Sequence, residues 1–177
     1  MQLNLVPHPE TPPSVPEFKV WANVDHAGAL GTVATTNIWF GIAAPANRFV
    51  MPAPAEAERA DDLWQTTCFE AFLKDSSRDA YREWNFAPSE QWAAYDFTSN
   101  RQGRTNAEVA PPYIRVEDNL TWWAVGATIA VDAGIQWALG LSAVLEEKDG
   151  TKSYWALAHQ SEKPDFHDPA CFTARLA

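Results

Sequence analysis

The sequence predicts an all-β protein, an antiparallel β-sandwich or jelly roll, and three observations carry that expectation. Short runs rich in Val, Ile, Phe, Trp and Thr recur along the 177 residues, which is the composition of strands. Turn signals punctuate them: Asp75-Ser76-Ser77, Pro88-Ser89, Glu117-Asp118-Asn119, Asp132-Ala133-Gly134 and Lys148-Asp149-Gly150. No heptad, long 3.6-residue period or internal repeat accompanies them. Closely spaced strands with regular turns are the pattern of sandwiches and jelly rolls.

Taken in order, residues 1–16 read as an extended lead-in, with Pro7, Pro9, Pro12, Pro13 and Pro16 barring regular structure. Phe18 to Asp25 follows as a strand with Phe18, Val20, Ala22 and Val24 on one face and Trp21 on the other. A short strand is expected from Leu30 to Val33 and another from Asn37 to Ala43. Residues 45–62 alternate Pro with Ala and Glu and read as a long loop with a helical turn near Glu56 to Ala60; loops of that length are often functional. Strands are then expected over 64–74, 80–87, 91–98, 112–117, 120–131, 136–146 and 152–158, with a last edge strand at Thr173-Ala174-Arg175-Leu176.

The length fits one domain over residues 1–177 with a sizeable core. With 46% hydrophobic and 20% charged residues the chain is globular in composition. A formal charge of −10 with thirteen scattered Lys and Arg argues against nucleic-acid phosphates and anionic membrane surfaces as partners. No apolar run approaches the ~18 residues of a membrane span. The segment Met1-Gln2-Leu3-Asn4-Leu5-Val6-Pro7 lacks the basic and apolar regions of a signal peptide, so the expected location is the cytoplasm. The two cysteines, Cys68 and Cys171, set up no disulfide framework, and Cys68 reads as an inert buried thiol. Nine tryptophans point either to a binding face or to a β-rich fold. Trp122 and Trp123 must point to opposite faces of their strand, so only one can be core.

The most informative stretch is Leu63-Trp64-Gln65-Thr66-Thr67-Cys68-Phe69-Glu70-Ala71-Phe72-Leu73. Its apolar run reads as a strand packed on both faces, with one carboxylate, Glu70, inside it. A buried carboxylate without a partner costs on the order of several kcal/mol. Either an Arg or Lys satisfies it, or it faces a cavity and holds a polar ligand. With Trp64 beside it as an aromatic platform, the second arrangement describes a sugar site. Glu83 and Asn85 share one strand face by the period of two. If their strand pairs with that of Glu70, three groups suited to sugar hydroxyls converge. The competing arrangement is a structural ion pair with Arg82, Arg101 or Arg104.

Two blocks together resemble the family 9 carbohydrate-binding modules and the wider DOMON-like ligand-binding domains. The first is Trp64 followed by Glu70-Ala71-Phe72-Leu73; the second is Asp165-Phe166-His167-Asp168-Pro169 followed by Phe172 and Arg175-Leu176. Between them, Tyr81-Arg82-Glu83-Trp84-Asn85-Phe86 resembles the family's strand with an Asn near its end. The resemblance covers roughly residues 18–177 and is nearest to the bacterial stand-alone DOMON-like proteins. It implies a β-sandwich that binds sugars or, in other branches, heme, without catalysis. It also implies that Trp64 and Phe166 clamp a sugar ring while Glu70 and Asn85 hold its hydroxyls, with Glu83 and His167 beside them. Phe166 stands where sugar-binding members usually carry Trp, and Glu83 falls near the place of an Arg.

The same residues also allow different chemistry. Trp64 and Phe166 can be stacking platforms or plain core. Glu70 and Glu83 also allow a glycosidase, which needs two carboxyl groups about 5–9.5 Å apart. His159 or His167 with Met51 allows heme ligation. Asp165, His167 and Asp168 allow a structural calcium, against which a turn cap is favoured. An interaction module without a small ligand is a further class. No nucleophile elbow, zinc-protease helix, phosphate-binding loop or dinucleotide fingerprint is present in the chain.

Overall fold

The structure, a computed structural model, describes residues 1–15, 17–28 and 31–176. It is all-β and antiparallel. Its strands are β1 (Gln2–Pro7), β2 (Val20–His26), β3 (Val33–Ile42), β4 (Cys68–Asp75), β5 (Tyr81–Phe86), β6 (Trp92–Phe97), β7 (Thr105–Asn106), β8 (Tyr113–Asp118), β9 (Trp123–Asp132), β10 (Trp137–Glu146), β11 (Lys152–Ala156) and β12 (Ala174–Leu176). The pairing runs β7-β6-β5-β4-β10-β11-β1-β2-β3-β9-β8, with β12 joined to β10. Strand β1 turns the corner: Gln2 to Leu5 pair with β2, while Val6 and Pro7 pair with β11.

Alternation along β2, β3 and β9 places Val20, Ala22, Val24, Ile38, Phe40, Ile42, Val125, Ala127 and Ile129 in the main core. Across from them lie Phe69, Ala71 and Leu73 of β4 and Leu139 and Leu141 of β10. The Phe40 and Phe69 rings meet at 5.1 Å and Phe69 meets Trp123 at 5.5 Å. Truncating a fully buried ring such as Phe69 costs about 3–5 kcal/mol.

The other face of β4, β5, β6 and β10 is covered as well. Phe72, Tyr81, Tyr95, Phe97 and Val144 form a second cluster with Phe166 and Phe172 of the C-terminal segment. This is why β4 shows no alternation: all six residues from Cys68 to Leu73 are buried. Phe172 lies flat on Gly140, where an added Cβ would collide with its ring. The glycine is what lets the segment dock.

Several sequence expectations shift. Gln2–Pro7, read as part of an irregular lead-in, is a paired strand; Leu5 is buried and Leu3 packs partly against the core, an alternation masked by the prolines that follow. The strand expected at Asn37–Ala43 is β3, which starts earlier, at Val33, and keeps inward residues from Ala34 to Ile42; of the strand expected at Leu30–Val33, Gly31 and Thr32 form a turn and Leu30 lies outside the described residues. The helical turn expected near Glu56–Ala60 is extended, with Arg59 in a parallel bridge to Trp92. The strand expected from residue 64 begins at Cys68, because Leu63–Gln65 is a 3-10 turn entered through Asp62 at φ 60°. The last strand, β12, pairs with β10 through Trp137 to Leu139. Trp123 opens β9 and is buried, while Trp122, just before the strand, is exposed.

Candidate functional site

Between the second cluster and the C-terminal segment lies a cavity of about 650 Å³. Its floor comes from sheet register. Glu70 sits opposite Asn85 and Phe72 opposite Glu83, so Glu70 and Glu83 are diagonal neighbours on one face of paired strands. Ser142 lies opposite Glu70 on β10. The Ser142 hydroxyl donates to Glu70 Oε2 at 2.9 Å. The Asn85 amide donates to Glu83 Oε1 at 2.6 Å. Each carboxyl thus has one oxygen tied down by a neighbour, and both groups line the cavity.

Both are held in the neutral direction. Burial, reinforced by Glu83, pushes Glu70 up to about 8, and burial raises Glu83. Two carboxylates this close in a poorly solvated site do not both ionise. At neutral pH the pair carries a proton, and a protonated carboxyl can donate as well as accept.

His167 closes one side. Its Nδ1 is 2.7 Å from the Tyr81 hydroxyl. That hydroxyl also accepts from the Arg101 amide at 3.1 Å. Nε2 lies 3.6 Å from Glu83 Oε2. Burial and then the Arg101 charge push the imidazole down to about 4, so at neutral pH this approach joins a neutral ring to a carboxyl and is not an ion pair. Local sequence fixes the ring. Asp165 accepts from the His167 amide at 3.1 Å, and Asp168 caps the 3-10 turn Pro169–Cys171 by accepting from the Ala170 amide at 2.9 Å.

The walls are aromatic. Trp64 is 48% exposed at the rim, carried by the 3-10 turn and held from below by Lys152 on the Gln65 carbonyl at 2.5 Å. Phe166 is buried at 9% exposure against Tyr154 and His159, yet it still lines the cavity, as does Tyr154. On the lip, Arg104 stacks over Tyr95 at 3.9 Å and approaches Asp61 at 3.5 Å. The Tyr95 hydroxyl donates to the same Asp61 at 2.5 Å. Arg101 sits at φ 55°, a conformation that costs a non-glycine residue about 1–3 kcal/mol. It pairs with Asp165 at 2.6 Å.

Of the six residues singled out in the sequence, five line this cavity: Trp64, Glu70, Glu83, Phe166 and His167. Asn85 does not. It is 1% exposed and stands behind Glu83 as its hydrogen-bond donor. The anticipated ion pair of Arg82 with these carboxyls is absent among the described residues; Arg82 pairs with Asp96 at 2.7 Å. Tyr81, Tyr95, Ser142, Tyr154 and Lys163 carry no sequence signal of a site, and Arg101 and Arg104 read there only as structural partners. The one local signal for the arginines is Asn100-Arg101-Gln102-Gly103-Arg104, two cations in a glycine turn directly after a strand.

At the positions where the sequence allows a metal or heme, most donor atoms are engaged within the protein. Asp165 Oδ1 accepts from Arg101 and from the His167 amide, and both oxygens of Asp168 accept from protein donors. No group of three or more His, Cys, Asp or Glu side chains converges among the described residues. His167 spends Nδ1 on Tyr81 and turns Nε2 toward Glu83. His159 Nε2 meets the Val6 carbonyl at 3.0 Å, and Met51 packs against the main core.

No protein-family model matches the chain, and no curated protein matches it in sequence. Among solved structures, a proposed carbohydrate-binding protein from Bacteroides uniformis superposes with a TM-score of 0.65 at 14% identity, over 97% of this chain and 83% of that one. At that identity the likeness establishes the fold: an all-β arrangement shared across most of both chains.

Proposed function

We propose that the protein binds a carbohydrate in this cavity and performs no chemistry on it. The observation that carries the reading is the floor: two buried carboxyls, each with one oxygen fixed by a neighbour and both facing an aromatic-walled cavity. Sugar hydroxyls donate and accept in fixed directions, and a protonated carboxyl beside an ionised one offers both roles. Trp64 supplies a flat apolar face at the rim, and Phe166 and Tyr154 supply the inner wall. Ser142 and Asn85 orient the two carboxyls. The likeness to a proposed carbohydrate-binding protein supports the same reading.

The fold that suits it is a jelly-roll-like β-sandwich of the DOMON-like, family 9 module type, with its ligand on the covered outer face of one sheet. Glycoside hydrolysis fits less well. A glycosidase places its two carboxyls on either side of the scissile bond, whereas Glu70 and Glu83 rise from the same face of one sheet. Single-site binding of this kind falls in the micromolar to millimolar range, about −4 to −8 kcal/mol. Calorimetric titration with a panel of monosaccharides tests it. Saturable binding lost in Trp64→Ala is the expected result; no binding by any sugar overturns it.

A further inference from the structure

We propose that the preferred ligand is an anionic sugar, one whose ring carries a carboxylate or a phosphate group. This rests on the reading of the cavity as a sugar site and goes beyond it by naming the ligand's charge.

The chain carries a net charge of −10 and only thirteen Lys and Arg, yet three of those cations, Arg101, Arg104 and Lys163, line this one cavity. The acidic partners of the two arginines, Asp165 and Asp61, are not on its wall. They engage the guanidinium groups from outside the cavity lining. Arg104 is fixed by its stack on Tyr95 at 3.9 Å, while its contact to Asp61 is long, at 3.5 Å; Asp61 is instead engaged by the Tyr95 hydroxyl at 2.5 Å. Arg101 is held in left-handed backbone at φ 55°, with its amide on Tyr81 and its side chain at the lip. Lys163 makes no ion pair among the described residues and lines the cavity from the C-terminal segment.

The floor and the lip therefore differ in charge. The floor presents two buried carboxyls, which repel an anion and suit hydroxyls. The lip offers forked guanidinium donors and an ammonium, the groups that recognise carboxylates and phosphates. A ring seated on the floor beside Trp64 would place a charged substituent at the lip.

The test measures dissociation constants for glucose, glucuronate, galactose, galacturonate and glucose 6-phosphate, at low and at physiological salt, for the native protein and for Arg104→Gln, Lys163→Gln and Trp64→Ala. Unchanged melting temperatures confirm that the variants fold. The expected result is that at least one anionic sugar binds about tenfold or more tighter than its neutral parent. That ratio falls in Arg104→Gln and Lys163→Gln and shrinks with salt. A uronate preference identifies carboxylate as the group read; a 6-phosphate preference identifies phosphate. Equal binding of neutral and anionic sugars, abolished by Trp64→Ala, overturns the charge assignment and keeps the sugar site. Silence from every sugar overturns both.

Discussion

The Tyr81 hydroxyl stands 2.7 Å from His167 Nδ1, and this contact joins the C-terminal segment to the central sheet at the wall of the cavity. Tyr81 lies on β5, two residues before Glu83 on the same face, and its ring stacks on Phe97 at 4.8 Å. The contact holds the imidazole with Nε2 toward Glu83, 3.6 Å from its Oε2. Tyr81→Phe keeps the ring stack and removes the oxygen. Its expected cost in thermal or chaotrope unfolding is about 1 kcal/mol. It should also weaken ligand binding, because His167 loses its orientation. Unchanged ligand affinity would show that the contact is structural alone.

The carboxyl pair gives stability a definite pH dependence. Glu70 has its folded-state value raised from 4.5 to about 8, so the native state holds a proton that the unfolded chain releases. Stability is therefore greatest below the unfolded value and falls as pH rises toward 8, with a slope approaching about 1.4 kcal/mol per pH unit for one proton. His167 works in the opposite sense at lower pH: lowered from 6.5 to about 4, it takes stability away as pH falls through that window. Glu70→Gln keeps the shape and removes the titration. Its unfolding free energy should exceed that of the native protein at pH 8 and match it near pH 5. A constant difference across pH would contradict a shared buried proton.

Trp64 separates binding from folding. At 48% exposure it contributes little to the core, and Trp64→Ala should change unfolding free energy by less than about 1 kcal/mol. Its loss removes the rim face for a sugar ring. A drop in stability of several kcal/mol would instead class Trp64 as a packing residue.

Gly140 tests how the segment carrying Phe166 and His167 is seated. An added Cβ meets the Phe172 ring within van der Waals overlap, and overpacking of this kind costs about 1–3 kcal/mol. Gly140→Ala should increase protease cleavage within residues 161–172 before it affects the main core. Cleavage at the native rate would show that the segment is held by its other contacts.

Much of the fold is legible from residue 64 onward, because the turn residues fall where the strands end and because strand runs of Val, Ile and aromatic side chains are distinctive. Strand β1 is not, since prolines crowd its C-terminal side and only Leu3 and Leu5 of its short run face the core. Glu70 is legible as a lone carboxylate in an apolar run, and the period of two brings Glu83 and Asn85 to one face. Register then decides their roles. Glu83 stands diagonal to Glu70 at the cavity, and Asn85 is a supporting donor behind it. Phe166 sits among charges in sequence, which suggests exposure. In the structure Tyr154 and His159 cover it, from parts of the chain that no local pattern connects to it. The lip residues Arg101, Arg104 and Lys163 meet only through tertiary folding of two loops.

The central claim is that the carboxyl floor and the aromatic rim hold a sugar. It is tested most directly by calorimetric titration of the native protein, Glu70→Ala and Trp64→Ala with neutral and acidic monosaccharides. The account predicts saturable one-to-one binding to the native protein that weakens at least about tenfold in each variant, a loss of about 1.4 kcal/mol or more. Sugar binding of equal strength in all three proteins, or in none, would contradict it.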